Sequence, residues 1–418
     1  MSANTKYKFK KGDNMGRKSI DLEKLASGLD ISPSMHKYAV DRYKGIANYL
    51  AEKGIRAEFN PQGSFRTGTV TRPMKNGIET DFDIDVVCTM VFDKTKITPE
   101  EVKKMVGDAL AADETYRKKM LPEDDRCWTL TYADLAEGVG LKLDVVPGVH
   151  EDQNGIMRLV LSSVDYNFAQ KAISITDRVT NKYKWLPSNP EGFGMWFDEI
   201  NEPFLQEVLQ ERKEEIFKGY RSLFESSASV DDVPDYYVKS SLQRTIQLLK
   251  RHRDIYYQRN KSISECRPAS VIITSLAAKI ARNASVSSLE ELLPYVVNGI
   301  VEYAALLNEQ SPHSSVGVPE KKLVYKKNSK WYIPNPVDPE DNYADSWTDE
   351  TAKAFFEWVY AVKRDLSDTT CINEAKYLTG LQTSFGKSYV DSKLGLPVQS
   401  LTGIKPVEIT QPSKPWGI

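Results

Sequence analysis

The 418-residue sequence is poor in the side chains that hold soft metals. Its four cysteines (Cys88, Cys127, Cys266, Cys371) and four histidines (His36, His150, His252, His313) are scattered, with no Cys-x-x-Cys pair. A zinc site or a disulfide framework is therefore not expected, and any metal chemistry must rest on carboxylates, which favour hard ions such as magnesium or manganese. The chain also lacks any run approaching the roughly 18 apolar residues of a membrane span, and its N-terminus lacks the apolar stretch of a secretory signal. A cytoplasmic protein is expected. Excess charge is missing too: 56 Lys and Arg against 58 Asp and Glu leave a net charge of −2. No bulk positive field exists to hold a long nucleic acid by counterion release, so no strong DNA-binding signal is present. Internal repeats and low-complexity blocks are absent.

What is there reads as two textures. Residues 34–53 carry apolar positions at helical spacing, with Ser34 as candidate N-cap. Segments 55–60, 82–92, 128–132, 139–146 and 156–161 are rich in β-branched and aromatic residues and predict strands, with helices over 99–111 and 163–172 between and after them. From about residue 202 helical periodicity dominates, over 204–224, 238–258, 270–282, 289–307 and 349–365, with no strand cluster among them. Segments 311–318 and 332–345 read as loops. The expected division is a strand-and-helix lobe over 1–200, a helical lobe over 201–396 and a flexible Pro-rich tail over 397–418.

Three motifs carry chemistry. Gln62-Gly63-Ser64-Phe65-Arg66-Thr67-Gly68-Thr69 follows a predicted strand, and its small residues let backbone approach a ligand. Taken alone it reads first as an ordinary turn or helix cap. In Thr80-Asp81-Phe82-Asp83-Ile84-Asp85-Val86, strict alternation puts three carboxylates on one strand face. Such a row is either a solvated polar face or a set of mutually repelling anions that a divalent cation would bridge. Leu141-Lys142-Leu143-Asp144-Val145-Val146 adds a lone acid among apolar neighbours, by itself a hydrogen-bonded structural acid more readily than a ligand. In the second half, Lys250 lies off the apolar stripe of a helix and Ser270 stands near the start of the next; a surface charge and a helix cap are their plain alternatives. The basic run Lys250-Arg251-His252-Arg253 reads either as a solvated face or as a neutraliser of phosphates.

Strand, Gly-Ser turn, Asp-x-Asp on the next strand and one Asp on a later strand together resemble the polymerase-β-type nucleotidyltransferase superfamily. The helix pair bearing Lys250 and Ser270, with Trp185-Leu186-Pro187-Ser188-Asn189-Pro190 and Met195-Trp196-Phe197 before it, is similar to the CD-NTases of bacterial CBASS anti-phage systems. Residues 332–343 resemble a further loop of those enzymes, and the likeness extends over about residues 54–347. The resemblance implies an α+β, two-lobed fold with a polymerase-β-like lobe and a helical lobe. It implies a cyclic oligonucleotide synthase that joins nucleoside triphosphates, ATP and a second one, into a cyclic di- or trinucleotide read by a downstream effector. On that likeness Asp83, Asp85 and Asp144 are the catalytic acids and hold two ions, Mg2+ or Mn2+. Gln62, Gly63, Ser64, Lys250 and Ser270 bind the nucleotide. Asp81 permits an alternative frame, Asp81 with Asp83, which matches the family strand less well. Alternatives are a linear nucleotidyltransferase acting on RNA or protein, and a silent nucleotide-binding protein. Some relatives are conjugated through their C-terminus by an accessory protein, whereas this chain ends Trp416-Gly417-Ile418, without the small terminal residue that such conjugation suggests.

Overall fold

The alternating segment around Asp83 becomes one of the two central strands of a mixed sheet. The computed structural model describes residues 17–72, 74–75, 78–132, 140–224, 229–230, 233–308, 323–367 and 374–396. The sheet comprises β1 (Ala57–Pro61), β2 (Phe82–Met90), β3 (Trp128–Tyr132), β4 (Leu141–His150), β5 (Ile173–Val179) and β6 (Lys182–Ser188), in the order β1-β2-β4-β5-β6 with β3 also on β4. β2 and β4 run parallel, as a crossover connection requires; the remaining pairs are antiparallel. The far edge of β4 is shared, Leu141–Val145 pairing with β3 and Gly148–His150 with β5.

Alternation sorts the side chains of the two central strands. Phe82, Ile84 and Val86 of β2 and Leu141, Leu143 and Val145 of β4 pack into one core. Met35, Ala39, Ile46 and Leu50 of helix α2 (Pro33–Glu52) and Val102, Val106 and Leu110 of helix α3 (Pro99–Ala111) cover them. Each such side chain contributes about 1.5–3 kcal/mol by leaving water. The start of α3 is locally encoded: Thr98 and Glu101 form a reciprocal capping box, with Pro99 at the first helical position.

The second core is helical. It gathers α1 (Arg17–Ser27), α4 (Gln153–Leu161), α5 (Pro190–Gly219), α6 (Ser241–Arg259), α7 (Ser270–Ala281), α8 (Leu289–Val301), α9 (Asp349–Val362), α10 (Glu374–Phe385) and α11 (Lys387–Lys393). Leu22, Leu25 and Ala26 of α1 lie in this core, so the first helix packs with the second half of the chain. The expected division at residue 200 falls inside α5, which runs unbroken past it. Among the described residues no helix is long and apolar enough to cross a membrane.

Several local expectations give way. The N-cap of α2 is Ser32, whose side chain accepts from the Met35 amide, and not Ser34. Residues 156–161 are the end of a helix rather than a strand. Asp152 caps α4 through the Gly155 amide, and Ile156, Leu159 and Val160 meet the helical core at helical spacing. Of the helix expected over 163–172, only the turn Tyr166–Ala169 forms. The hairpin β5–β6 turns through Thr180 and Asn181, both with positive φ, a signal the apolar pattern does not carry. The segment read as a loop over 332–345 contains a short antiparallel pair, Pro334–Asn335 with Asp338–Asn342, and Tyr325–Lys327 pairs with Lys330–Tyr332. Segments 311–318 and 397–418 lie outside the described residues.

Candidate active site

The parallel register places Asp85 opposite Asp144 and Asp83 opposite Lys142. All four side chains stand on the sheet face away from the α2–α3 core, Asp83 and Lys142 exposed and Asp85 and Asp144 half-buried. Further along the same face Val87 and Val146 pack with Ile173 and Ile175, so the carboxylates end where a small apolar floor begins.

The Gly-Ser turn is fastened to this face. The Gln62 amide donates to the Asp85 carbonyl (2.9 Å), and Gly63 opens a single-turn helix, Gly63–Arg66. Gly63 has φ +61°, and a Cβ there would stand 3.3 Å from Asp85 Oδ2. Both facts favour glycine: the left-handed backbone and the close approach to a carboxylate. Ser64 follows, its carbonyl accepting from the Thr69 amide (2.8 Å).

The anions are not neutralised by one another's surroundings. Burial, and then the Asp144 and Asp83 carboxylates, push Asp85 up to about 6. Burial also raises Asp83; Lys142 opposes that rise, and Asp144 and Asp81 add to it. Asp144 is held from β3, where Thr129, its register partner, donates from Oγ1 to Asp144 Oδ1 at 2.5 Å. Among the described residues no three His, Cys, Asp or Glu side chains are gathered closely enough to hold a metal ion as they stand. The set is nevertheless all hard oxygen donors in a locally anionic site, which fits magnesium or manganese and not a soft metal. Asp81 is engaged elsewhere: its Oδ1 accepts from the Gly140 amide (2.9 Å) ahead of β4.

Lys250 and Ser270 stand on the neighbouring helices α6 and α7. Lys250, only 3% exposed, donates to the Thr69 carbonyl (3.1 Å) and to Thr69 Oγ1 (2.8 Å). Burial, aided by Arg253, pulls its ammonium down to about 7. Ser270 Oγ accepts from Arg253 Nη1 (3.0 Å), which also donates to the Pro268 carbonyl. The basic run is not a solvated face. Every residue of α6 from Ser241 to Arg253 is buried. Arg251 donates to the Phe385 carbonyl, and His252 Nδ1 accepts from the Trp358 indole.

Sequence reasoning missed Thr129, although alternation along β3 shows it: Leu130 and Tyr132 face the core, which leaves Thr129 on the carboxylate face. It also missed Thr67, whose hydroxyl donates to the Gly63 carbonyl, Thr69, whose hydroxyl accepts from Lys250, and Gln243 and Gln247, whose side-chain amides reach the backbone after the turn from a helix far away in sequence.

A mixed sheet with a glycine-opened turn pressed against paired strand carboxylates, followed by a helical lobe, is the fold of the polymerase-β-type nucleotidyltransferases. Residues 57–143 match the family model of the DncV-like cyclic GMP-AMP synthase nucleotidyltransferase domain, a span that includes Gly63, Asp83 and Asp85 and stops just before Asp144. Over most of its length the chain is similar to CD-NTases. It is 27% identical over 354 residues to a c-di-GMP synthase of Roseivirga ehrenbergii, covering 83% of this chain and 78% of that protein. It is 24% identical over 337 residues to the cyclic dinucleotide synthase CdnG of Bradyrhizobium diazoefficiens, covering 78% and 69%. Its fold is similar to the solved structure of the Bradyrhizobium CD-NTase CdnG in complex with GTP (TM-score 0.64, 21% identity, 91% of this chain and 99% of that one). It is also similar to that of Escherichia coli CdnC with ATP (TM-score 0.55, 13% identity, 89% and 98%).

Proposed function

We propose that this protein is a cyclic dinucleotide synthase that joins two nucleoside triphosphates and releases pyrophosphate at each of two steps. The observation that carries the reading is the Gly63 turn lying within contact distance of Asp85, itself in register with Asp144. A triphosphate held by the turn would thus meet the carboxylates directly. The name of the Roseivirga relative, and the GTP bound in the CdnG structure, support a guanine nucleotide as one substrate, beside the ATP expected from the resemblance.

In this reading Gln62, Gly63 and Ser64 orient the donor triphosphate, with Ser270 on the side of the helical lobe. The hydroxyl of the acceptor nucleotide attacks the donor α-phosphorus, the bond to pyrophosphate breaks, and a second such attack closes the ring. Asp83, Asp85 and Asp144 would hold two magnesium or manganese ions. Ions bound there supply a lowered hydroxyl pKa and charge neutralisation on the leaving group. With Oδ1 fixed by Thr129, Asp144 has its other oxygen free to take the hydroxyl proton. The expected setting is CBASS anti-phage defence, with a partner effector that reads the cyclic product.

The test is incubation of the purified full chain with magnesium or manganese and each labelled nucleoside triphosphate. Phosphatase-resistant products with the mass of a cyclic dinucleotide are expected. Extension of an added RNA, or labelling of protein, would replace this reading with a linear transferase.

A further inference from the structure

A cavity of about 760 Å3 lies between the α1–α2 connection, α5 and the segment 235–239 ahead of α6. Phe65, Arg66 and Gly68 wall it from the Gly-Ser turn, whereas Ser64, Asp83, Asp85 and Asp144 are not among its lining residues. It is a separate place from the carboxylate face.

The acids of this cavity are already matched. Asp30 accepts from Arg244 Nη1 (2.7 Å) on one oxygen and from Gln247 Nε2 (2.9 Å) on the other. Asp198 pairs with Arg66 (2.9 Å), Glu215 with Arg212 (2.9 Å) and Asp235 with Lys213 (2.6 Å). Lys239 is not matched in this way. Among the described residues its ammonium meets no carboxylate at ion-pair distance and donates to the Tyr236 carbonyl (2.9 Å), which leaves it two further protons to give. Burial pulls that ammonium down to about 8, with Asp30 opposing the fall and Arg244 adding to it. Arg244, 6% exposed, makes its bonds from Nη1, and its buried Nε has no partner. His36 Nδ1 is likewise buried without a partner. Nitrogens with unused capacity, on His36, Lys239 and Arg244, thus border one cavity.

Its other wall is aromatic. The His36 ring lies between Phe65 and Tyr236, nearly parallel to both, with centroids 4.6 and 4.8 Å away. Tyr236 is 55% exposed, which leaves ring surface for another planar group. The bond from Lys239 to the Tyr236 backbone keeps the spare ammonium beside that ring.

We propose that this cavity is a second binding site, for a nucleoside phosphate, in which Lys239 and Arg244 take the phosphate and Tyr236 the base. Cations without a matching acid select an anion, the exposed ring selects a planar group, and the volume admits both on one molecule. The site needs none of the strand carboxylates, so it stands or falls apart from the synthase reaction. Its occupant touches the Gly-Ser turn from the far side, through Phe65, Arg66 and Gly68.

The experiment titrates the full chain with GMP, AMP, guanosine and inorganic phosphate in EDTA, and amide hydrogen exchange locates what binds. Without a divalent ion the carboxylate face repels phosphate. GMP or AMP should bind at millimolar concentration or below, about tenfold or more tighter than guanosine or phosphate. Protection should fall on residues 28–36 and 235–244 and not on 82–86 or 141–146. Lys239→Met and Tyr236→Ala should each weaken the nucleotide about tenfold, the scale of one charge-assisted hydrogen bond or one stacked base, and Ser64→Ala should not. The exposed position of Tyr236 keeps the test decisive should Lys239→Met not fold. Failure of both nucleotides to bind, or phosphate alone binding as tightly as they do, overturns the proposal. So does protection confined to β2 and β4, or affinity that survives both variants unchanged.

Discussion

Helix α6 buries its charges and strand β2 half-buries Asp85, and the two treat charge in opposite ways. In α6 each cation meets an acceptor: Arg244 pairs with Asp30 at 2.7 Å, Arg251 donates to the Phe385 carbonyl and Arg253 pairs with Asp254 at 2.7 Å. On the carboxylate face of β2, Asp83 and Asp85 face Asp144, the exposed Lys142 acts on Asp83, and Asp85 is lifted to about 6. Satisfied buried charges are architecture. Converging charges of one sign whose protonation is distorted are what a site for a cationic or reacting partner looks like. The difference lies in whether the fold itself supplies the counter-group.

Removing the anions should separate the two regions most sharply. Asp83→Asn and Asp85→Asn are each expected to lower nucleotidyl transfer by about a thousandfold or more while leaving the melting temperature unchanged or higher, because a like-charge contact is lost. Undiminished product from Asp83→Asn would refute its place in the site. The reverse pattern is expected in the helix. Arg251→Met leaves the Phe385 carbonyl without its guanidinium donor and should cost about 1–3 kcal/mol in denaturant unfolding, with little change in the turnover of the folded fraction. A smaller effect is expected at Thr129. Thr129→Val frees Asp144 Oδ1 and should slow turnover about tenfold, and Thr129→Ser should restore it, as read from initial rates.

The smallest effect is on pH. Asp85 has a folded pKa above its unfolded one, so the folded state binds the proton more tightly. Its contribution to stability is therefore greatest below the unfolded pKa of about 4 and is lost as pH rises through about 6. Between those values the metal-free protein should lose a little stability with rising pH. Added magnesium should offset that loss, and Asp85→Asn should flatten the slope in thermal melts.

Much of the site was legible because its signals are local. The alternation Phe82-Asp83-Ile84-Asp85-Val86 is a property of the strand, and one apolar face suffices to turn the carboxylates the other way. The caps of α3 are local as well. Elements whose stability is borrowed from afar were misread. Residues 156–161 have β-branched and aliphatic composition, yet the helical core takes Ile156, Leu159 and Val160 at helical spacing. The basic run of α6 looks like a wet surface, because the carbonyls that satisfy it arrive from residues 69, 268 and 385.

The amino-acid order alone determined the chemistry on offer: a glycine that accepts positive φ, three acids at alternating positions, and no soft metal ligands. Only the folded molecule decided which acids meet. The β2–β4 register sets Asp85 beside Asp144, a Gly140 amide takes Asp81, and the α6 face fixes the turn from behind. Periodicity is written over a few residues, whereas register and the identity of a buried partner depend on which distant segments exclude water together.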